Sequence, residues 1–289
     1  MKVNGELLIL VSIVAFSISD LFDRVAVIDT DPFLATLIKC VIICVFVLAL
    51  AMREGFNTRG SLYFVASGLV SEILGSASFM RSLRYGISVA LPMIQSQVIF
   101  TAVLSFLLLH ERLSRKAYVG IAVVFSGLVV LAYSQVYNVV SQSPVLGFVF
   151  ALIASLGWGA GAVLWKLGIE HGASSNSGLV VHYLTAIVAL LFIVGVGGNF
   201  HIGLADVRNL AVAALLDGII GMMALMHSMR YISATRAQTL KSTYPLLACL
   251  LAFFVLGEPI TGLMAVGMVI ATLGVVLFEN GKSAEPAGS

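Results

Sequence analysis

The segment Met80-Arg81-Ser82-Leu83-Arg84-Tyr85 opens an apolar stretch that ends at Glu111, and Gly120 and Gly127 follow it. The segment Met226-His227-Ser228-Met229-Arg230-Tyr231 opens a second stretch, which ends at Glu258 and is followed by Gly267 and Gly274. In both copies the glycines stand 9 and 16 residues after the glutamate. Working outward, Gly5, Phe16 and Arg24 match Gly147, Trp158 and Lys166 in order and spacing, so the duplication extends over the whole chain. A repeat unit close to half the chain governs every further reading of the fold.

Of the 289 residues, 60% are hydrophobic and only 10% charged, against about 25% charged in a soluble domain, and the mean hydropathy is +1.07. Such a chain cannot clothe a soluble surface. Apolar runs near the ~20 residues that cross a bilayer as helix follow one another at 5–22, 33–51, 61–83, 87–109, 117–135, 145–168, 178–197, 209–229, 237–256 and 262–278. They predict an all-α polytopic membrane protein of ten transmembrane helices. The polar, uncharged stretch 136–144 divides it into a first five-helix repeat, 1–140, and a second, 141–280. Residues 281–289, small and polar, are expected to form a disordered cytoplasmic tail.

Five spans per copy is an odd number, so the second copy threads the bilayer in the opposite sense, a 5+5 inverted-topology repeat. With both termini cytoplasmic, the inner segments hold Lys2, Arg53, Arg59, Arg112, Arg115, Lys116, Lys166, Arg230, Arg236 and Lys282, and the outer ones only Arg24, Arg81, Arg84 and Arg208. That is the asymmetry of an inside-positive protein. Inverted repeats underlie alternating access, with the solute bound near the midplane where the repeats meet. The net charge of +2, without a basic cluster, sets nucleic acid aside as a partner. Cys40, Cys44 and Cys249 lie within apolar spans, too few and too buried for a disulfide framework or a zinc site. The first apolar run has no small-residue cleavage site and reads as a retained span rather than a removed signal peptide.

A second-half first span containing Gly157-Trp158-Gly159, Lys166 at its end, Pro245 thirteen residues before Glu258, and Gly267 and Gly274 in the last span together resemble the EamA-type transporters of the drug/metabolite transporter superfamily. The first half departs from the family pattern, with Phe16-Ser17 where Trp-Gly is usual and Val98 in place of the proline. The resemblance implies a ten-helix carrier of the inner membrane, often an exporter of amino acids or other small metabolites. It also implies a central cavity lined by spans 1, 3, 4, 6, 8 and 9, and no cofactor.

Charged groups inside spans cost about 2.5–3.5 kcal/mol each to insert and are functional candidates by default. Four qualify: Lys39, Glu72, Asp217 and Lys241. Glu72 and Asp217 stand at nearly matching places, eight residues before Met80 and nine before Met226. One reading has both carboxylates face the cavity and bind a proton or a substrate amino group; the other pairs the two carboxylates with the two lysines as structural ion pairs. On span 9, Gln238, Lys241, Ser242 and Pro245 recur at i, i+3, i+4 and i+7, a polar stripe. Pro245 removes the helical partner of the Lys241 carbonyl, and a lysine beside a freed carbonyl suits a carboxylate-bearing or zwitterionic solute, although a kink needed only for packing explains the proline as well. Span 4 offers Ser88, Pro92, Gln95 and Ser96 as a neutral counterpart, and Trp158, Tyr183 and Tyr244 could wall an apolar pocket. Trp165, near a span end, reads better as an interfacial anchor.

His182, inside span 7, reads either as a proton-relay member or, as a lone histidine more often does, as a satisfied packing residue; the glycines of spans 5 and 10 read as close helix packing in a monomer or a homodimer, and Glu111 and Glu258 as caps of the following helices near Ser114 and Thr261. Asp20 and Asp23 have the spacing with which a prenyltransferase would hold Mg²⁺, but the repeat-matched positions are Ala162 and Trp165, and a solvated outer loop explains the acidic connector. The sequence therefore points to a secondary transporter of a small molecule across the lipid bilayer, with a proton as the candidate coupling ion. A carrier of cationic drugs or polyamines on the same fold is the alternative.

Overall fold

The computed structural model describes residues 5–57, 59–110, 113–137, 144–172, 174–197, 200–228, 231–232, 237 and 240–282. Residues 138–143 of the expected connector and 283–289 of the tail lie outside them, as do Glu111 and Gln238. Every regular element among the described residues is helical. Nine of these helices are long and apolar enough to cross a membrane: α1 (Gly5–Ala26), α2 (Pro32–Glu54), α3 (Ser61–Leu83), α4 (Ile87–Leu109), α5 (Arg115–Tyr137), α6 (Pro144–Glu170), α7 (Ser175–Gly197), α8 (Leu204–Ser228) and α10 (Gly262–Lys282). Between α8 and α10 lies the shorter apolar α9 (Tyr244–Leu256). The molecule is an integral, multi-pass membrane protein.

Local chemistry sets the helix ends. Asp31 accepts from the amides of Phe33 and Leu34 at 2.9 and 3.3 Å, with Pro32 in the first turn, so α2 starts on a side-chain cap and a preset φ. Ser114 caps α5 and Thr261 caps α10 through their hydroxyls, at 3.2 Å to the amides of Ala117 and Met264. Thr261 thus does what Glu258 was expected to do.

Matched glycines meet reciprocally. A Cβ on Gly120 would lie 2.7 Å from the Phe278 Cα, and one on Gly127 would lie 2.8 Å from the Ala271 Cα. From the other side, a Cβ on Gly274 would meet the Gly120 carbonyl oxygen at 2.9 Å and one on Gly267 the Gly127 oxygen at 3.1 Å. The glycine faces of α5 and α10 therefore pack on each other within one chain. The same exchange joins the copies elsewhere, with Gly5 against Tyr231 and Gly147 against Tyr85.

Two kinds of irregularity recur at matching places. α3 widens to a π-helix over Leu69–Ser76 and α8 over Ala214–Gly221; in each, the amide after the segment returns to the carbonyl of its acid, Ala77 to Glu72 and Met222 to Asp217. In α4 the helix breaks at Gln95 and Ser96, and before α9 the chain turns at Ser242 and Thr243. The hydroxyls of Ser96 and Thr243 donate to the carbonyls of Met93 and Leu240, at 2.8 and 2.7 Å, which holds both breaks in the same form. The expected polar stripe on span 9 is consequently not one continuous helix face. Its described members still gather at one place.

Candidate functional site

That place is a cavity of about 250 Å³ at the two breaks. Gln95 comes from the break in α4; Lys241, Ser242, Tyr244 and Pro245 come from the turn before α9 and its first residues; and α6 and α10 close the sides, the latter with Glu279. Four of the residues predicted from sequence are thus brought together: Gln95, Lys241, Ser242 and Tyr244. The walls come from α4, α6, α9 and α10 rather than from all of spans 1, 3, 4, 6, 8 and 9, because α10 runs alongside both breaks.

The polar atoms of this cavity are held from outside it. The Gln95 amide nitrogen donates to the Thr272 hydroxyl at 3.1 Å, which leaves Oε1 buried without a donor. Lys241 places its ammonium 4.8 Å from the centre of the Phe16 ring, a cation–π contact, and forms no salt bridge with a carboxylate among the described residues. Tyr244 packs on the same ring at 5.8 Å, and its carbonyl accepts from Ser17 at 3.1 Å, so α1 fixes the start of α9.

Lys39, Asp217, Glu72 and Trp158 are not among the cavity's walls. Lys39, on α2, donates to Asp23 of α1 at 2.5 Å and to Asp217 of α8 at 2.7 Å. Asp20 lies one turn before Asp23 and one turn after Phe16, whose ring meets the Lys241 ammonium, so α1 links this ionic layer to the cavity. Asp23 and Asp217 thus share one ammonium, and Asp20 Oδ2, Asp23 Oδ1 and Asp217 Oδ1 are all buried without a hydrogen-bond partner.

Glu72 has different company. His182 of α7 places Nε2 3.0 Å from its Oε1, and Cys40 donates to Oε2 at 3.5 Å; the other imidazole nitrogen meets Ser67 at 3.2 Å. Trp158 lies one helix over, where its indole N–H donates to Ser76 at 3.3 Å and its ring packs on Phe79. The pairing of two carboxylates with two lysines is therefore half right: Lys39 holds Asp217, whereas Glu72 is held by a histidine and Lys241 is left to the cavity.

Three further expectations change. Asp20 and Asp23 do not lie on a solvated connector: α1 continues to Ala26, leaving them 7% and 1% exposed. Their i, i+3 spacing, one helical face, was the available signal. Of the two readings of His182, packing alone does not hold, because it bonds Glu72. Glu258 does not cap its own following helix but accepts from Arg24 at 2.9 Å and from the Ser88 amide at 3.2 Å, and so caps α4 in the other copy.

Apolar helices that enclose paired charges and a polar cavity at two helix breaks have the build of a membrane transporter. The chain belongs to the EamA-like transporter family, whose model matches residues 3–133 and again 145–279. It is 21% identical over 266 residues, 88% of this chain and 86% of the relative, to an uncharacterized transporter of Clostridium kluyveri. It is 24% identical over 208 residues, 68% of this chain and 69% of the relative, to a protein of Salmonella typhimurium named a probable amino-acid metabolite efflux pump. A crystal structure at 15% identity superposes with a TM-score of 0.65, covering 95% of this chain and 96% of the other, and shares the fold. Membership of a transporter family points to a transporter and not an enzyme.

Proposed function

We propose that the protein is a secondary carrier that exports an amino acid or similar small metabolite across the inner membrane by alternating access. Its two five-helix halves, 1–140 and 141–280, thread in opposite senses, with both termini cytoplasmic and a proton as coupling ion. The observation that carries this reading is the meeting of two matching helix breaks in one cavity, since broken helices at a repeat interface are where carriers bind solute. Lys241 offers a cation to a solute carboxylate, and Gln95 Oε1 offers a buried acceptor to its ammonium. The volume lies below the ~300–1,000 Å³ of drug-sized pockets and favours a small solute. The naming of the Salmonella typhimurium relative as a probable amino-acid metabolite efflux pump supports the same class. A polyamine or cationic-drug carrier draws on the two carboxylates paired with Lys39, but a lysine in the cavity wall opposes it.

Thermal unfolding of the purified protein against a panel of amino acids and polyamines tests this. A ligand at 100 times its Kd that binds only the folded state adds about 2.7 kcal/mol. We expect amino acids to stabilise the wild type and Lys241→Met to abolish the effect. Stabilisation confined to polyamines, unchanged in Lys241→Met, would sink the zwitterion reading.

A further inference from the structure

Asp20 is the one acid of the ionic layer that no ammonium bonds among the described residues. Asp23 and Asp217 each share Lys39, whereas Asp20 is 7% exposed, and its Oδ2 has no donor. Around it stand Asp23 one turn on along its own helix, with Lys39 of α2 and Asp217 of α8 bonded in one cluster. Lys241 and Tyr244 lie 4.8 and 5.8 Å from the ring of Phe16, one turn before Asp20 on α1, and Cys249 lies further along α9. On the α3 side, Arg84 is committed to the carbonyls of Val27 and Thr30 beyond the end of α1, at 2.6 and 2.7 Å. An ionised Asp20 would add a third buried negative charge beside one bonded ammonium. A protonated Asp20 is neutral and adds none. A proton on the unpartnered oxygen removes that charge without needing any further ligand.

We propose that the carboxyl of Asp20 takes up and releases the coupling proton. The inference rests on the carrier reading above. When the cavity opens to water, the acid O–H gives its proton to a water molecule and leaves a carboxylate, which Lys241 and Lys39 face with opposite charge. When a solute carboxylate sits on Lys241, that ammonium no longer favours the ionised form, and the proton stays on Asp20. Solute and proton therefore travel together, and efflux of a solute down its own gradient carries a proton out.

Infrared difference spectroscopy of the purified protein reads the site without a substrate. A buried carboxylic acid gives a carbonyl stretch that shifts in D₂O; we expect it in the wild type at neutral pH, lost in Asp20→Asn and kept in Glu72→Gln. The amide stands in for the neutral acid, so Asp20→Asn should fold and melt with the wild type. A missing band, a band untouched by Asp20→Asn, or a marked drop in its melting temperature would each overturn the proposal. In liposomes loaded with a mixture of common amino acids and a pH-sensitive dye, wild-type efflux should make the lumen more alkaline and Asp20→Asn should not. Efflux with no pH change, or with acidification, would also overturn it. If the wild type moves no amino acid at all, the carrier reading fails, and the infrared band alone decides the proton site.

Discussion

The π-helical segments Leu69–Ser76 and Ala214–Gly221 occupy matching places and carry an acid at the same position, yet the two acids live in different electrostatic worlds. Each segment is packed by the first helix of the other copy, α6 through Trp158 against Gly75 and α1 through Phe16 against Gly221. Glu72 is bonded to an imidazole and a thiol, while Asp217 shares an ammonium with a second carboxylate that has no counterpart in the other copy, where Trp165 stands in place of Asp23. Duplication thus copies the backbone irregularity without copying what neutralises it. A widened turn brings an acid into the bundle. Its role is set by what the neighbouring helices contribute.

The largest break in this comparison is Lys39→Met. It leaves Asp23 and Asp217 without their counter-charge, and removing one partner of a buried ion pair costs about 3–5 kcal/mol. Denaturation of the purified protein should show that loss, and adding Asp23→Asn should recover part of it. A change under about 1 kcal/mol, the scale of an exposed pair, would mean that water already neutralises the layer. His182→Ala is milder, about 1–3 kcal/mol, because it leaves Glu72 with the weaker Cys40 contact instead of a bare charge beside another acid. A loss equal to that of Lys39→Met would show that Glu72 and His182 form a full ion pair, and the contrast between the segments would narrow.

Nine of the expected spans, the duplication and the charges Lys39, Glu72, Asp217 and Lys241 were legible because period, length and hydropathy are local properties of the chain. Which charge meets which was not. His182 and Glu72 stand 110 residues apart and Lys39 and Asp217 178 apart, and such pairings follow from helix packing that no spacing rule encodes. Asp20 and Asp23 were misplaced for a different reason: Asp29 and Asp31 follow so soon that the whole segment reads as an acidic loop, although α1 runs to Ala26. The breaks were half legible. Pro245 marks one, whereas Gln95-Ser96 carries no proline and follows Pro92 by a turn.

Trp158→Phe gives the smallest effect and the sharpest comparison. Phe16 holds the matched place in the first copy, so the substitution makes the two contacts alike in chemistry: a ring against a π segment with no N–H to offer. The indole donates to Ser76, the last residue of its segment, and losing one such hydrogen bond costs about 0.5–1.5 kcal/mol. Because Gly75 lies against the indole edge, the smaller phenyl ring leaves room there, so the loss should fall toward the upper end. Ser76→Ala removes the same acceptor while keeping the ring. If both variants lose equal stability and the double variant loses no more, the hydrogen bond is what Trp158 contributes over Phe16; additive losses would assign the difference to packing.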